Sequence, residues 1–168
     1  FSDCFTSNHS GAFYLSANLI SINQVCGYMC EAIYDNGQFF CLQNLNSNVE
    51  NSINFLTVVN CGTKNRGHSS IMVSGSTNYS LTYINSSHNY NFYSQKSYGT
   101  CFRTSDVNGY NVEYFNFLHS TGVDVMNTHN FPNGVFNNGN VHNCSTEYIL
   151  KYRGHNVIKN TYFDKLNY

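Results

Sequence analysis

Five residues towards the C-terminal end have the types and spacing for chemistry: Asp124, His129, Glu147, Lys151 and Arg153. Gly122-Val-Asp-Val-Met126 opens one run of alternating β-formers, and Ser145 opens the next. Aligned at those points, Asp124 and Glu147 take equivalent positions on neighbouring strands, facing outward and about 4.8 Å apart. Two carboxylates at that distance raise the pKa of one of them or share a cation. Lys151 and Arg153 follow Glu147 on the same strand or just beyond it, and His129 falls in the nearby turn. The set is a candidate carbohydrate-active site of acids and cations on one exposed sheet. The plain alternative is two solvent-facing acids. A slip of one residue in register sends both side chains to the other face.

Nothing else in the chain assembles into a reaction centre. His9, His68, His88, His119, His142 and His155 are spread without ligand spacing. No G-x-S-x-G elbow or phosphate-binding glycine loop is present. Of the seven cysteines, Cys26-Gly-Tyr-Met-Cys30 is too wide for a redox CxxC, and no second pair completes a zinc site. Neither a metal nor a cofactor is expected. Cys61 and Cys144 both follow Asn, in Asn60-Cys61-Gly62 and Asn143-Cys144-Ser145, which marks one recurring position held by a small buried thiol. A disulfide between Cys26 and Cys30, or between neighbouring coils, is open to a secreted chain.

The elements that position these residues come from a ragged internal repeat. Its openings are Gly11-Ala-Phe-Tyr-Leu15, Gly37-Gln-Phe-Phe-Cys41, Gly67 through Ile71-Met-Val73, Gly99-Thr-Cys-Phe-Arg103 and Gly122-Val-Asp-Val-Met126. They lie roughly 23 to 32 residues apart, a solenoid period. A second alternating run follows each opening, as in Ile53–Val58, Leu81–Ile84, Val112–Phe115 and Phe136–Val141, and ends at Asn. Asn tolerates the left-handed backbone of a sharp turn, and stacked Asn side chains form amide ladders along the axis. A single proline, Pro132, belongs in a loop, because central strands need every N–H. The longest excursion runs from Asn85 to Tyr98 and carries Tyr90, Phe92, Tyr93 and Tyr98; a shorter one spans Asn44 to Asn51.

Charged residues are 10% of the chain and the net charge is −1, which argues against nucleic acid and anionic membrane surfaces. No apolar run is long enough to span a membrane. Asn makes up about one residue in six, yet aromatic and β-branched residues alternate regularly enough to order the chain. Sequons at Asn8, Asn78, Asn85 and Asn143 match the number expected by chance in so Asn-rich a chain. The sequence begins at Phe1 without Met and reads as one domain, residues 1–168, cut from a longer protein.

Ser10-Gly11-Ala12-Phe13, and strands ending in Asn such as Val112-Glu-Tyr-Phe-Asn116, resemble the Gly-Gly-Ala-Ile and Phe-x-x-Asn repeats of polymorphic-outer-membrane-protein-like surface proteins. That resemblance implies a right-handed parallel β-helix at a cell surface or outside the cell, with an adhesive role towards a host or cell-surface glycan or protein. It transfers no catalytic residue. The second reading is a carbohydrate-active or carbohydrate-binding β-helix, resembling the pectin lyases, polygalacturonases and related epimerases, whose sites cluster Asp, Lys and Arg on one exposed sheet; Asp124, Glu147, Lys151 and Arg153 are the candidates here, without an Asp-Asp, Gly-His-Gly or Arg-x-Pro-x-x-Arg signature. The expected fold is all-β: a right-handed parallel β-helix of about six coils. Its expected core holds Phe13, Leu15, Phe39, Cys41, Phe55, Ile71, Val73, Val112, Val125 and Tyr148. Its open ends call for caps from other sequence or a partner.

Overall fold

A computed structural model describes residues 1–7, 10–32, 38–62, 69–91, 99–130, 133–152 and 154–166. Every described element is a strand, and the two main sheets are parallel throughout. The short sheet comprises β2 (Phe13–Ala17), β5 (Phe40–Asn44), β7 (Ile71–Ser74), β10 (Gly99–Ser105), β13 (Asp124–His129) and β15 (Tyr148–Tyr152). The long sheet comprises β3 (Ser21–Tyr28), β6 (Glu50–Val59), β8 (Asn78–Ser87), β11 (Gly109–Leu118), β14 (Asn133–His142) and β16 (His155–Asp164). In both, each strand pairs with its equivalent from the units before and after it. Two small pairs complete the cross-section: β1 (Phe5–Thr6) with β4 (Glu31–Ala32), and β9 (Tyr90–Asn91) with β12 (Thr121–Gly122).

This is a parallel β-solenoid, the all-β fold expected from the repeat. It makes about four turns rather than six. The rungs β5/β6, β7/β8, β10/β11 and β13/β14 are enclosed on both sides, whereas β2/β3 and β15/β16 are end rungs with a main-sheet neighbour on one side only.

Each long strand bends at its middle. Residues 51, 53, 56 and 58 of β6 are buried, so the alternation skips a beat at Phe55. Phe55 has φ 55°, and Gln24, Tyr83, Tyr114, Asn138 and Asn160 repeat that left-handed turn in register on the other rungs. The extra residue resets the phase, turning Phe55 out (50% exposed) where strict alternation from Ile53 predicts it inside. A second left-handed column, Met29, Asn60, His88, His119 and Asn143, closes the long strands.

Of the expected core, Phe39, Cys41, Ile71, Val73, Val112 and Val125 are buried, and Phe13 packs against the cluster from a partly buried position. Leu15 and Tyr148 are corrections. Both belong to end rungs, so each lacks a neighbour on one side and stays exposed. Phe102, Tyr110, Phe115, Phe117 and Phe136 form a dense aromatic cluster in tilted and edge-to-face contacts. Gly139 is required there, because a Cβ would lie 2.2 Å from the Phe115 ring.

Among the described residues no helix is long and apolar enough to cross a membrane. Pro132, His9, His68, the opening glycines Gly37 and Gly67, the Asn8 sequon and the aromatics Phe92, Tyr93 and Tyr98 lie outside the described residues. Of the two expected excursions, Asn85 to Ser87 instead finish β8, and Asn44 to Asn51 spans the turn from β5 into β6.

Candidate functional site

The acidic candidates do not form an outward pair. Asp124 faces Tyr148 across β13 and β15, and Asn127 faces Lys151. Thr121 bridges Ser145, so Gly122 aligns with Thr146 rather than with Ser145, one residue away from the alignment expected from the repeat. The Thr146 hydroxyl helps to set this register by donating to the Val123 carbonyl at 2.6 Å, while the N–H groups of Glu147 and Tyr148 both donate to the same carbonyl at 3.1 Å.

Asp124 is fully enclosed (0% exposed), as is most of β13, whereas Glu147 is exposed. One Asp124 oxygen accepts from Asn127 Nδ2 at 2.7 Å, and Oδ1 has no hydrogen-bond partner. Burial pushes the Asp124 carboxyl above its ordinary range. The Asn127 amide and then the Lys151 charge oppose that rise, and Glu147 adds to it. Glu147 and Lys151 are therefore both within electrostatic reach of Asp124, although the carboxylates do not converge on a shared open face. Lys151 lies over the Tyr148 ring, 5.5 Å from its centroid. His129 ends β13 level with Ser105, at the opposite end of the strand from Asp124. Arg153 lies outside the described residues.

The ordered polar surface is on the outer face of the long sheet. Asn85, Asn116 and Asn140 share one register position on β8, β11 and β14. Asn116 Nδ2 donates to Asn85 Oδ1 at 2.8 Å, and Asn140 Nδ2 to Asn116 Oδ1 at 2.8 Å. Among the described residues the expected amide ladder therefore runs within the strands rather than at the turns. Asn160 donates to Asn137 at 3.0 Å, and Thr82 donates to Asn54. Asn116 uses one donor and one acceptor along the axis, Asn85 only accepts and Asn140 only donates, so each amide keeps unused hydrogen-bonding capacity. The outward positions of β8 are Asn78, Ser80, Thr82, Tyr83, Asn85 and Ser87, all uncharged.

An aromatic ladder borders the amides. Phe55 stacks on Tyr83 with centroids 4.9 Å apart and planes 2° from parallel; Tyr83 stacks on Tyr114 at 5.0 Å and 11°. The three rings are 47–50% exposed. Beside them runs a shallow groove of ≈ 470 Å³ lined by Gln24, Cys26, Phe55, Thr57, Tyr83 and Asn85. The alternation gave no hint of this ladder, because Phe55 reads as core. The available signal was the recurring three-residue step between buried positions, Ile53 to Leu56 and Leu81 to Ile84. Among the described residues no three His, Cys, Asp or Glu side chains converge as a metal site. Comparison with protein-family models, with curated proteins and with solved structures finds no match to this chain.

Proposed function

We propose that the chain is a non-catalytic interaction module, working at a cell surface or outside the cell, that offers the outer face of its long sheet to a protein partner. The observation that carries this reading is the pairing of two in-register ladders, Asn85–Asn116–Asn140 and Phe55–Tyr83–Tyr114, on one surface where β6, β8, β11 and β14 carry two outward carboxylates, Glu50 and Glu113. Protein contact surfaces are enriched in aromatics and depleted of Lys, Glu and Asp at their centres. Tyr, Ser and Asn together supply rigid contact area and adaptable hydrogen bonding. The Tyr83 ring is stacked on both faces, which leaves it no open face on which a sugar could lie. An adhesive role is what the repeat resemblance implies, and it agrees with such a surface.

A carbohydrate-active site at Asp124 is the second reading. Its support is the raised carboxyl with Glu147 and Lys151 in electrostatic reach. It requires a polymer to touch a side chain that has no exposed surface.

Panning a phage-displayed random-peptide library against the intact chain tests the first reading, and incubation with acidic and neutral polysaccharides tests the second. The expected result is enriched peptides that lose binding to Asn116→Arg and keep it with Ser47→Arg, in the turn between β5 and β6. Peptides that bind both variants equally, or polysaccharide cleavage that Asp124→Asn abolishes, would overturn the proposal.

A further inference from the structure

The seven cysteines are in the thiol form, and four of them share one column. Cys4, Cys30, Cys61 and Cys144 follow the left-handed residues Asp3, Met29, Asn60 and Asn143, with Asn89 and Ser120 filling the rungs between. The pose repeats. Each thiol donates to the carbonyl two residues earlier: Cys4 to Ser2 at 3.5 Å, Cys30 to Tyr28 at 3.4 Å, Cys61 to Val59 at 3.5 Å and Cys144 to His142 at 3.6 Å. The column also closes the corner's backbone. Cys30 N–H donates to Cys61 Sγ at 3.4 Å, Cys61 N–H to Asn89 Oδ1 at 2.8 Å, and Asn89 N–H to Ser120 Oγ at 3.2 Å.

Cys4 and Cys30 are consecutive in this column and directly opposed. Phe5 pairs with Glu31 in parallel register, and inter-strand bonds flank the two cysteines on both sides: Asp3 N–H to Tyr28 O at 3.0 Å and Glu31 N–H to Cys4 O at 2.8 Å. Opposed parallel residues sit about 4.8 Å apart, inside the Cα separation of about 4.4–6.8 Å that a disulfide spans. Cys26 is no competitor, because it points outward from β3 while Cys30 turns inward beyond the Met29 corner. Cys61 is fully buried, and its sulfur already accepts from Cys30 N–H. Cys4 is the half-exposed member of the column.

We infer that Cys4 and Cys30 are a disulfide-forming pair that staples β1 to the first coil when the protein meets a disulfide oxidant. With oxidised glutathione the exchange balances. The Cys4 thiolate attacks one glutathione sulfur, forming a mixed disulfide and releasing one glutathione thiolate. The Cys30 thiolate then attacks the Cys4 sulfur, forming the Cys4–Cys30 bond and releasing the second. The two cysteine protons end on two glutathione thiols, so the protein loses two electrons and the oxidant gains them. Burial raises the Cys30 pKa, so the thiolate needed for the second step is the scarcer nucleophile.

The test is oxidation of the intact chain with oxidised glutathione, quenching with iodoacetamide and unreduced peptide mapping, in a Cys26→Ser background that removes the outward thiol. The expected result is a Cys4–Cys30 linked peptide and a melting midpoint raised by about 5–10 °C, both reversed by dithiothreitol. Cys61→Ser should keep the link, and Cys4→Ser should lose the rise in midpoint. A Cys30–Cys61 link, or Cys4 held only as its glutathione adduct, would overturn the inference.

Discussion

Tyr83 and Tyr114 stack ring on ring, centroids 5.0 Å apart, at mid-strand positions where both backbones adopt left-handed angles, φ 58° and 55°. A residue with a Cβ is held in that region at a cost of about 1–2 kcal/mol. The bend repeats across six rungs, so every long strand turns at the same level and the ladder side chains are delivered to one corner.

Replacing Tyr83 separates the two effects. Tyr83→Ala loses the stacks on Phe55 and Tyr114 and keeps the strained backbone, a loss of about 1–3 kcal/mol. Tyr83→Gly loses the same stacks but relieves the backbone, so it should be the more stable of the two in urea unfolding. That order reverses the usual penalty for Gly within a strand. An alanine variant more stable than the glycine variant would remove the left-handed bend from the explanation.

Asn51 is the interior counterpart of the surface amides. Its Oδ1 accepts from Ile20 N–H at 2.8 Å and Asn44 Nδ2 at 2.7 Å; its Nδ2 donates to Thr77 Oγ1 at 3.3 Å and Asn78 O at 3.2 Å. Asn51→Ala strands several buried polar groups and should cost about 2–4 kcal/mol. Asn85→Ala, on the exposed ladder, should cost no more than about 1 kcal/mol. Equal losses for the two would show that the Asn51 network is not formed.

Asp124 makes stability depend on acid. Its folded pKa is raised, so the folded chain holds this proton more tightly than the unfolded chain, whose value is near 3.8. The stabilising contribution is present below that value and is lost as pH rises through the folded pKa. Asp124→Asn should therefore melt a few degrees higher than the parent chain at about pH 7, with the difference shrinking towards about pH 4. A variant that melts lower at neutral pH would mean that the charge is held by partners stronger than Asn127 and Lys151.

The buried thiols act at the alkaline end. Burial pushes Cys61 and Cys101 from 9.0 up to about 12, and raises Cys144 and Cys30 as well. Burial also raises the Tyr79 and Tyr110 hydroxyls. Above about pH 9 the unfolded chain releases these protons and the folded chain keeps them, so stability falls as pH rises through that window. Under reducing conditions the urea midpoint should be level from about pH 7 to pH 8.5 and decline steadily towards pH 11. A midpoint unchanged to pH 11 would place the thiols in contact with water.

The architecture was legible in the sequence because period-2 alternation and Asn- or Gly-marked turns recur at a solenoid spacing. Register was not legible. Gly122 and Ser145 look like equivalent openings, yet the pairing of Thr121 with Ser145 moves Glu147 off Asp124. One residue is enough, since strand side chains alternate between faces. The bends escaped notice because Phe55, Tyr83 and Tyr114 are types that rarely adopt left-handed angles, so nothing about them suggests a turn. The recurrence of Asn-Cys at Cys61 and Cys144 did reveal an inward column, but Cys4 and Cys30 joined it only once Asp3 and Met29 proved to hold the same corner.

The most direct measurement is the Kd of the strongest selected peptide for the intact chain and for Asn116→Arg, after confirming that the two melt together. A loss of about tenfold or more is expected, because the new guanidinium interrupts the amide ladder at its centre. An unchanged Kd would contradict the assignment of the long sheet's outer face as the contact surface.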